Sequence, residues 1–171
     1  GGYSPTDNSY IARVLPTFTI NKYISLTPGY AFFQDYESKS ENAEHQIMAY
    51  ATFTLPISNK LSITDRNMYY YQIKNYASNT ATYRNRLGLN YKIKVKDIPV
   101  SLYAHDEIYI NLENGKLRNR VYVGSSVSLS WLTPQLMYYM QSEKGKSNKH
   151  YWMLSLLVPL EKFGFFSGRK K

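Results

Sequence analysis

The stretch "TYRNRLGLNYKIK", Thr82 to Lys94, decides the fold. Read as a strand, in which successive side chains point to opposite faces, it sorts cleanly. Tyr83, Leu87, Leu89, Tyr91 and Ile93 share one side, while Thr82, Arg84, Arg86, Gly88, Asn90 and Lys92 share the other. The outline returns in "LRNRVYVGSSVSLSW", Leu117 to Trp131. There Val121, Val123, Val127, Leu129 and Trp131 oppose Arg118, Arg120, Tyr122, Gly124, Ser126, Ser128 and Ser130. Both strands therefore carry an apolar face and a polar face headed by two arginines.

The same period of two runs through the whole chain, and nothing reads as a helix. Nine segments carry it: Ser9–Ile20, Tyr23–Tyr36, Glu44–Ile57, Leu61–Lys74, Ala81–Lys94, Ile98–Leu112, Leu117–Trp131, Gln135–Gln141 and Lys149–Leu160. Most are ten residues or longer. Strands of soluble domains average about five or six residues, and a tilted strand that crosses a bilayer needs about nine to eleven. The connections alternate between tight (Asn21–Lys22, Ser58–Lys60, Val95–Asp97, Leu132–Pro134) and loose (Glu37–Ala43, Asn75–Thr80, Ser142–Asn148), with Glu113–Lys116 intermediate. Membrane barrels have short turns on one side and longer loops on the other, usually with an even strand count. The expectation is an all-β, antiparallel up-and-down transmembrane β-barrel of about ten strands, filling residues 1–171 as one domain. Nine strands are visible, and the first is expected to be missing before Gly1.

Composition narrows the function. The absence of cysteine removes disulfides, thiolate metal sites and Cys nucleophiles, and His45, His105 and His150 lack metal-ligand spacing. No cofactor is expected. The net charge of +9 would suit nucleic acid, but many lysines, among them Lys22, Lys60, Lys96, Lys116, Lys144, Lys146 and Lys149, fall in expected turns. No basic helix or phosphate loop accompanies them, so no nucleic-acid partner is expected, and anionic lipid headgroups are the more natural counterpart. No run of 18 apolar residues forms a membrane helix. The mean hydropathy of −0.46 still fits a barrel whose strands alternate. A soluble lipocalin-like ligand-binding barrel would show the same alternation with the apolar face inward. Strand length, a polar face rich in Gly, Ser and Thr with paired charges, and aromatics at strand ends (Tyr69, Tyr71, Tyr91, Trp131, Trp152) favour the membrane form.

The sixth segment, "SLYAHDEIYINLENG", supplies the candidate site. It aligns Ser101, Tyr103, His105, Glu107, Tyr109 and Asn111 on the polar face, between the strands carrying Arg84/Arg86 and Arg118/Arg120. A lumen charge cluster is expected: Glu107 clasped by Arg84, Arg86, Arg118 and Arg120, with His105 beside it and Glu44 and Arg66 extending it. A buried carboxylate needs such pairing, and guanidinium forks match it in shape. A lumen with arginine in excess can alternatively favour anions. Asp106 breaks the alternation and calls for a bulge or a place near the rim. No enzyme is expected. His150, near Ser147 and Tyr151, lacks an acid to orient it, and His105 with Glu107 reads as a hydrogen-bonded lumen pair rather than an acid/base pair.

Four motifs, "TYRNRLGLNYKI", "YAHDEIYINL", "RNRVYVGSSVSLS" and "PQLMYYMQS", resemble the Gram-negative outer-membrane barrel family catalogued as domain of unknown function 2490, common in Bacteroidota. The likeness covers most of Glu44 to Gln141; the chain departs from the pattern in its missing first strand and in the tail "EKFGFFSGRKK". The resemblance implies a cell outer membrane location among membrane lipid and lipopolysaccharide. The expected function is an integral barrel with a plugged Arg/Tyr-rich lumen, a structural or accessory subunit of an outer-membrane protein complex. A small-solute or anion pore and a soluble ligand-binding barrel are the alternatives.

Overall fold

The computed structural model describes residues 2–4, 9–35 and 42–157, and every regular element among them is a strand. They are β1 (Gly2–Ser4), β2 (Ser9–Val14), β3 (Phe18–Thr19), β4 (Ile24–Asp35), β5 (Asn42–Pro56), β6 (Leu61–Lys74), β7 (Thr80–Val95), β8 (Ile98–Asn111), β9 (Leu117–Val127), β10 (Thr133–Glu143) and β11 (Lys149–Leu157). All pair antiparallel in the order β1-β2-β4-β5-β6-β7-β8-β9-β10-β11, with β3 also on β4. The resulting up-and-down sheet curls into a half-barrel, and among the described residues no pairing joins β1 to β11.

Three expectations need correction. Gly2–Ser4 pairs with Ser9–Ile11, so a short strand precedes the first segment read from the sequence. That first segment is not continuous: β2 and β3 both pair with β4 but are separated by Leu15–Thr17. Pro16 has no N–H to give the ladder, which accounts for a break at this place. The seventh strand stops at Val127 rather than Trp131, because Leu129 N–H bonds to the Leu132 carbonyl at 2.9 Å and closes a turn over residues 128–132. That turn is as long as the connections at the opposite end of the sheet, so the contrast between tight and loose ends is weaker than the sequence suggests. The tail beyond Leu157 and most of the Glu37–Ala43 loop lie outside the described residues.

Local chemistry sets the other turns. Asn21 Oδ1 accepts from the N–H groups of Tyr23 and Ile24 at 2.8 and 3.0 Å, and Ser58 Oγ does the same for Lys60 and Leu61 at 3.2 and 3.1 Å. Between β7 and β8, Lys96 and Asp97 both take positive φ, 48° and 67°. This is the two-residue turn whose twist matches that of its flanking strands.

Burial divides the two faces of the sheet. The buried side chains, Ala31, Met48, Met68, Tyr109, Tyr122, Thr27, Thr82, Glu107 and Ser126, all belong to the concave face by register. The convex face exposes its aliphatics and aromatics: Ile47, Leu55, Leu87, Leu89, Val121, Val123, Trp152, Leu154 and Leu156. Polar groups thus line the inside of the curl, and the apolar stripes of the sequence lie on its outside.

Candidate functional site

Strand register writes the site as rows across the concave face. One row passes through Thr52, Arg66, Arg86, Glu107, Arg120 and Gln141 on consecutive strands. The next row toward the β6–β7 loop holds Met68, Arg84, Tyr109, Arg118 and Glu143. On the other side lie Thr64, Gly88, His105, Tyr122 and Tyr139. The Arg-Asn-Arg repeats bring their arginines here because two residues is one strand repeat, so each pair occupies adjacent rows of one face.

Glu107, with no exposed surface, is the centre. Its Oε1 accepts from the Nε groups of Arg84 and of Arg86, the latter at 2.7 Å. Its Oε2 accepts from the hydroxyls of Tyr109, at 2.8 Å, and of Tyr122. Arg120 reaches the carboxylate indirectly, donating through Nη1 to the Tyr109 hydroxyl at 2.6 Å and through Nε to Gln141 Oε1 at 2.7 Å. The Tyr109 ring carries the guanidiniums of Arg84, Arg118 and Arg120 at 4.6, 4.4 and 4.7 Å from its centroid. A buried carboxylate costs several kcal/mol unless its lone pairs are filled, and here four donors fill them.

The expected cluster is therefore assembled around Arg84, Arg86, Glu107, Arg118 and Arg120. His105 sits one row away and is not hydrogen-bonded to Glu107; it stacks on Tyr103 at 5.1 Å and tilts against Tyr122. Arg66 extends the row but donates to Thr52 Oγ1 at 3.2 Å. Glu44 does not join the set. It accepts from Gln72 Nε2 at 2.6 Å and from Gln46, so amides rather than guanidiniums satisfy it. Alternation placed Tyr109 and Tyr122 on the polar face without assigning them a partner, and gave Gln141 no role; the two hydroxyls complete the carboxylate's shell and Gln141 receives Arg120. With both oxygens occupied and no exposed surface, Glu107 ties its own strand β8 to β7 through the arginines and to β9 through Tyr122.

Glycines let aromatic rings lie flat on this face. A Cβ on Gly124 would come within 2.6 Å of the Tyr103 ring, and one on Gly88 within 2.6 Å of the His105 ring. From there aromatic contacts continue through Tyr122, Tyr139 and Tyr151, with Tyr139 and Tyr151 stacked at 4.6 Å.

The convex face carries a second polar group. Asn85 Nδ2 donates to Asp65 Oδ1 at 2.6 Å and to Asn67 Oδ1 at 3.1 Å; Tyr83 also donates to Asn67. On the neighbouring strands Asn119 Nδ2 donates to Asp106 Oδ1 at 2.6 Å. Of the two ways of accommodating Asp106, a bulge or a place near the rim, the bulge is absent. The register runs unbroken through Leu87, Asp106 and Val121, well inside β8, and the Asn119 amide is what accommodates the carboxylate. His150 also faces this side, with its Nδ1 2.6 Å from the Tyr138 hydroxyl.

No curated protein and no solved structure matches the chain. The profile of one family, described as "Protein of unknown function (DUF2490)", matches residues 3–151, most of the chain's length. The chain belongs to the DUF2490 family.

Proposed function

We propose that this chain is an integral outer-membrane β-barrel protein whose interior is filled by the Glu107 clasp, acting as a structural or accessory subunit of an outer-membrane assembly rather than as an enzyme or an open pore. The observation that carries the reading is the division of faces: every buried side chain among the described residues is concave and the convex surface exposes long aliphatic stripes. In water such an apolar surface would be a large aggregation liability; against lipid it is the outward band of a barrel. A soluble ligand-binding barrel needs the opposite orientation.

The convex polar group supports an accessory role. Asp65, Asn67, Asn85, Asp106 and Asn119 form a belt across β6 to β9 in the middle of an otherwise apolar face. Their mutual hydrogen bonds reduce the cost of leaving water without removing it, and a protein neighbour would supply the remaining donors. Open sheet edges do not face hydrocarbon, so the reading also requires the outer edge of β11 to be paired in the membrane.

The test is to fold the protein in neutral-detergent micelles, in lipid vesicles and in plain buffer. A heat-modifiable gel band and cooperative unfolding only with detergent or lipid are expected, and planar bilayers should show no steady conductance. A monodisperse monomer melting cooperatively in plain buffer would overturn membrane residence. Stable open-channel currents would replace the plug by a pore.

A further inference from the structure

Above the clasp, at the end of the concave face beside the β6–β7 and β8–β9 connections, lies a cavity of about 260 Å³. Its wall includes three cations, Lys74, Lys116 and Arg118, with Tyr109 beneath them. The one carboxylate among the described residues of that wall, Glu143, is engaged by Lys146 at 2.8 Å. Arg118 is the telling residue. Its guanidinium lies on the Tyr109 ring, and its Nε is buried with no hydrogen-bond partner among the described residues. Glu107, one row away, cannot serve it, because Arg84, Arg86, Tyr109 and Tyr122 already fill both of its oxygens. A buried donor left unpaired costs about 1–3 kcal/mol, more when charged, so its presence on the wall of a cationic cavity calls for an explanation.

We propose that this cavity is a binding site for a small oxyanion, the phosphate or carboxylate group of a solute, held by Arg118 with Lys116 and Lys74. A guanidinium on the cavity wall suits a planar or tetrahedral oxyanion through its terminal nitrogens, and two ammonium groups add charge without fixed direction. Lys74 Nζ donates to Thr80 Oγ1 at 3.1 Å, which leaves further protons for a ligand. The site opens on the polar concave side, away from the apolar convex face, so the group arrives in solution rather than on a lipid. The inference rests on concave-face chemistry and stands apart from membrane residence.

Titration calorimetry tests it on the full chain, in neutral-detergent micelles or in whichever medium keeps it folded. The probes are inorganic phosphate, acetate, and micelles doped with phosphatidic acid, each against sodium chloride of equal ionic strength. One saturable site for phosphate or acetate is expected. Arg118→Gln should weaken it roughly tenfold or more, as loss of a charge-assisted bond implies. Lys116→Gln, at the exposed rim, gives a smaller loss in a protein whose fold is undisturbed, and Lys144→Gln on the neighbouring loop leaves binding unchanged. No saturable binding beyond the chloride control overturns the proposal, as do equal affinity in the Arg118 and Lys116 variants and a response to phosphatidic acid alone.

Discussion

Glu107 and Arg120 are direct cross-strand partners, yet no ion pair joins them: the Tyr109 hydroxyl stands between, donating to Glu107 at 2.8 Å and accepting from Arg120 at 2.6 Å. Two opposite charges are thus coupled through one phenol that uses both its donor and its acceptor. Tyr109→Phe keeps the ring under three guanidiniums but removes both bonds. It should destabilise the fold by about 1.5–3 kcal/mol, the range for hydrogen bonds to charged groups. In an Arg120→Gln background the same change should cost distinctly less, because the relay is already broken. Strictly additive losses in urea unfolding would show that the relay carries no coupling.

Glu107→Gln tests the clasp itself. The amide has nearly the same shape, but it turns one acceptor oxygen into a donor facing donors and leaves the surrounding arginines without a counter-charge. A loss of about 3–5 kcal/mol is expected, the scale for removing one member of a buried ion pair. Adding Arg84→Met should recover part of it. An unchanged unfolding midpoint in Glu107→Gln would mean that the arginines are held by other forces.

Gly124 lies beneath the Tyr103 ring, where a Cβ would stand 2.6 Å from ring atoms. Gly124→Ala should cost about 1–3 kcal/mol through overpacking. Gly115, with no heavy atom within 4 Å of a built Cβ, separates this effect from backbone strain, since its φ of +66° makes Gly115→Ala costly for a different reason. Replacing Tyr103 by Ser together with Gly124→Ala should relieve only the part of the penalty due to the ring, because the added Cβ would still stand 2.7 Å from the Leu136 carbonyl oxygen. A penalty undiminished in the double variant would locate it at that carbonyl rather than at Tyr103.

Much of this arrangement was legible in the sequence, because alternation determines which side chains share a face once the strands are extended. Arg84, Arg86, Glu107, Arg118 and Arg120 fall together for that reason. Which partner each takes depends on reach and competition instead. Tyr109 comes between Glu107 and Arg120, and Gln72 satisfies Glu44 before any arginine does. Alternation also called for a bulge or a rim position at Asp106, since it assigns an uncompensated carboxylate to an apolar stripe. It carries no information about the Asn119 amide two residues off in cross-strand register. Turn positions were the least legible: the 128–132 turn is set by one backbone hydrogen bond in a sequence that continues to alternate through Trp131.

The Asp106–Asn119 pair allows a test of the convex belt. Asn119→Leu alone strands a carboxylate and should destabilise by about 1–3 kcal/mol. Asp106→Leu combined with Asn119→Leu removes both partners and should return stability close to that of the parent. If the belt meets a protein neighbour, the double variant folds normally but migrates as a smaller species than the parent on native gels of mildly solubilised membranes. Identical migration would leave the belt without a role in assembly.

Leu89 and Val123 sit on the convex face, 47% and 51% exposed, and they distinguish lipid from water as the outer solvent. If hydrocarbon surrounds the sheet, Leu89→Arg places a guanidinium in it and should cost about 2–4 kcal/mol near the midplane, with Val123→Arg behaving alike. If water surrounds it, exchanging one exposed side chain for another changes stability by no more than about 0.5 kcal/mol and improves solubility. Urea unfolding of vesicle-inserted protein, followed by tryptophan fluorescence, reads the difference directly. Loss of stability in both variants supports the inside-out reading of "TYRNRLGLNYKIK". Neutral arginines at both positions would place the apolar stripes against water and remove the main physical support for a membrane barrel.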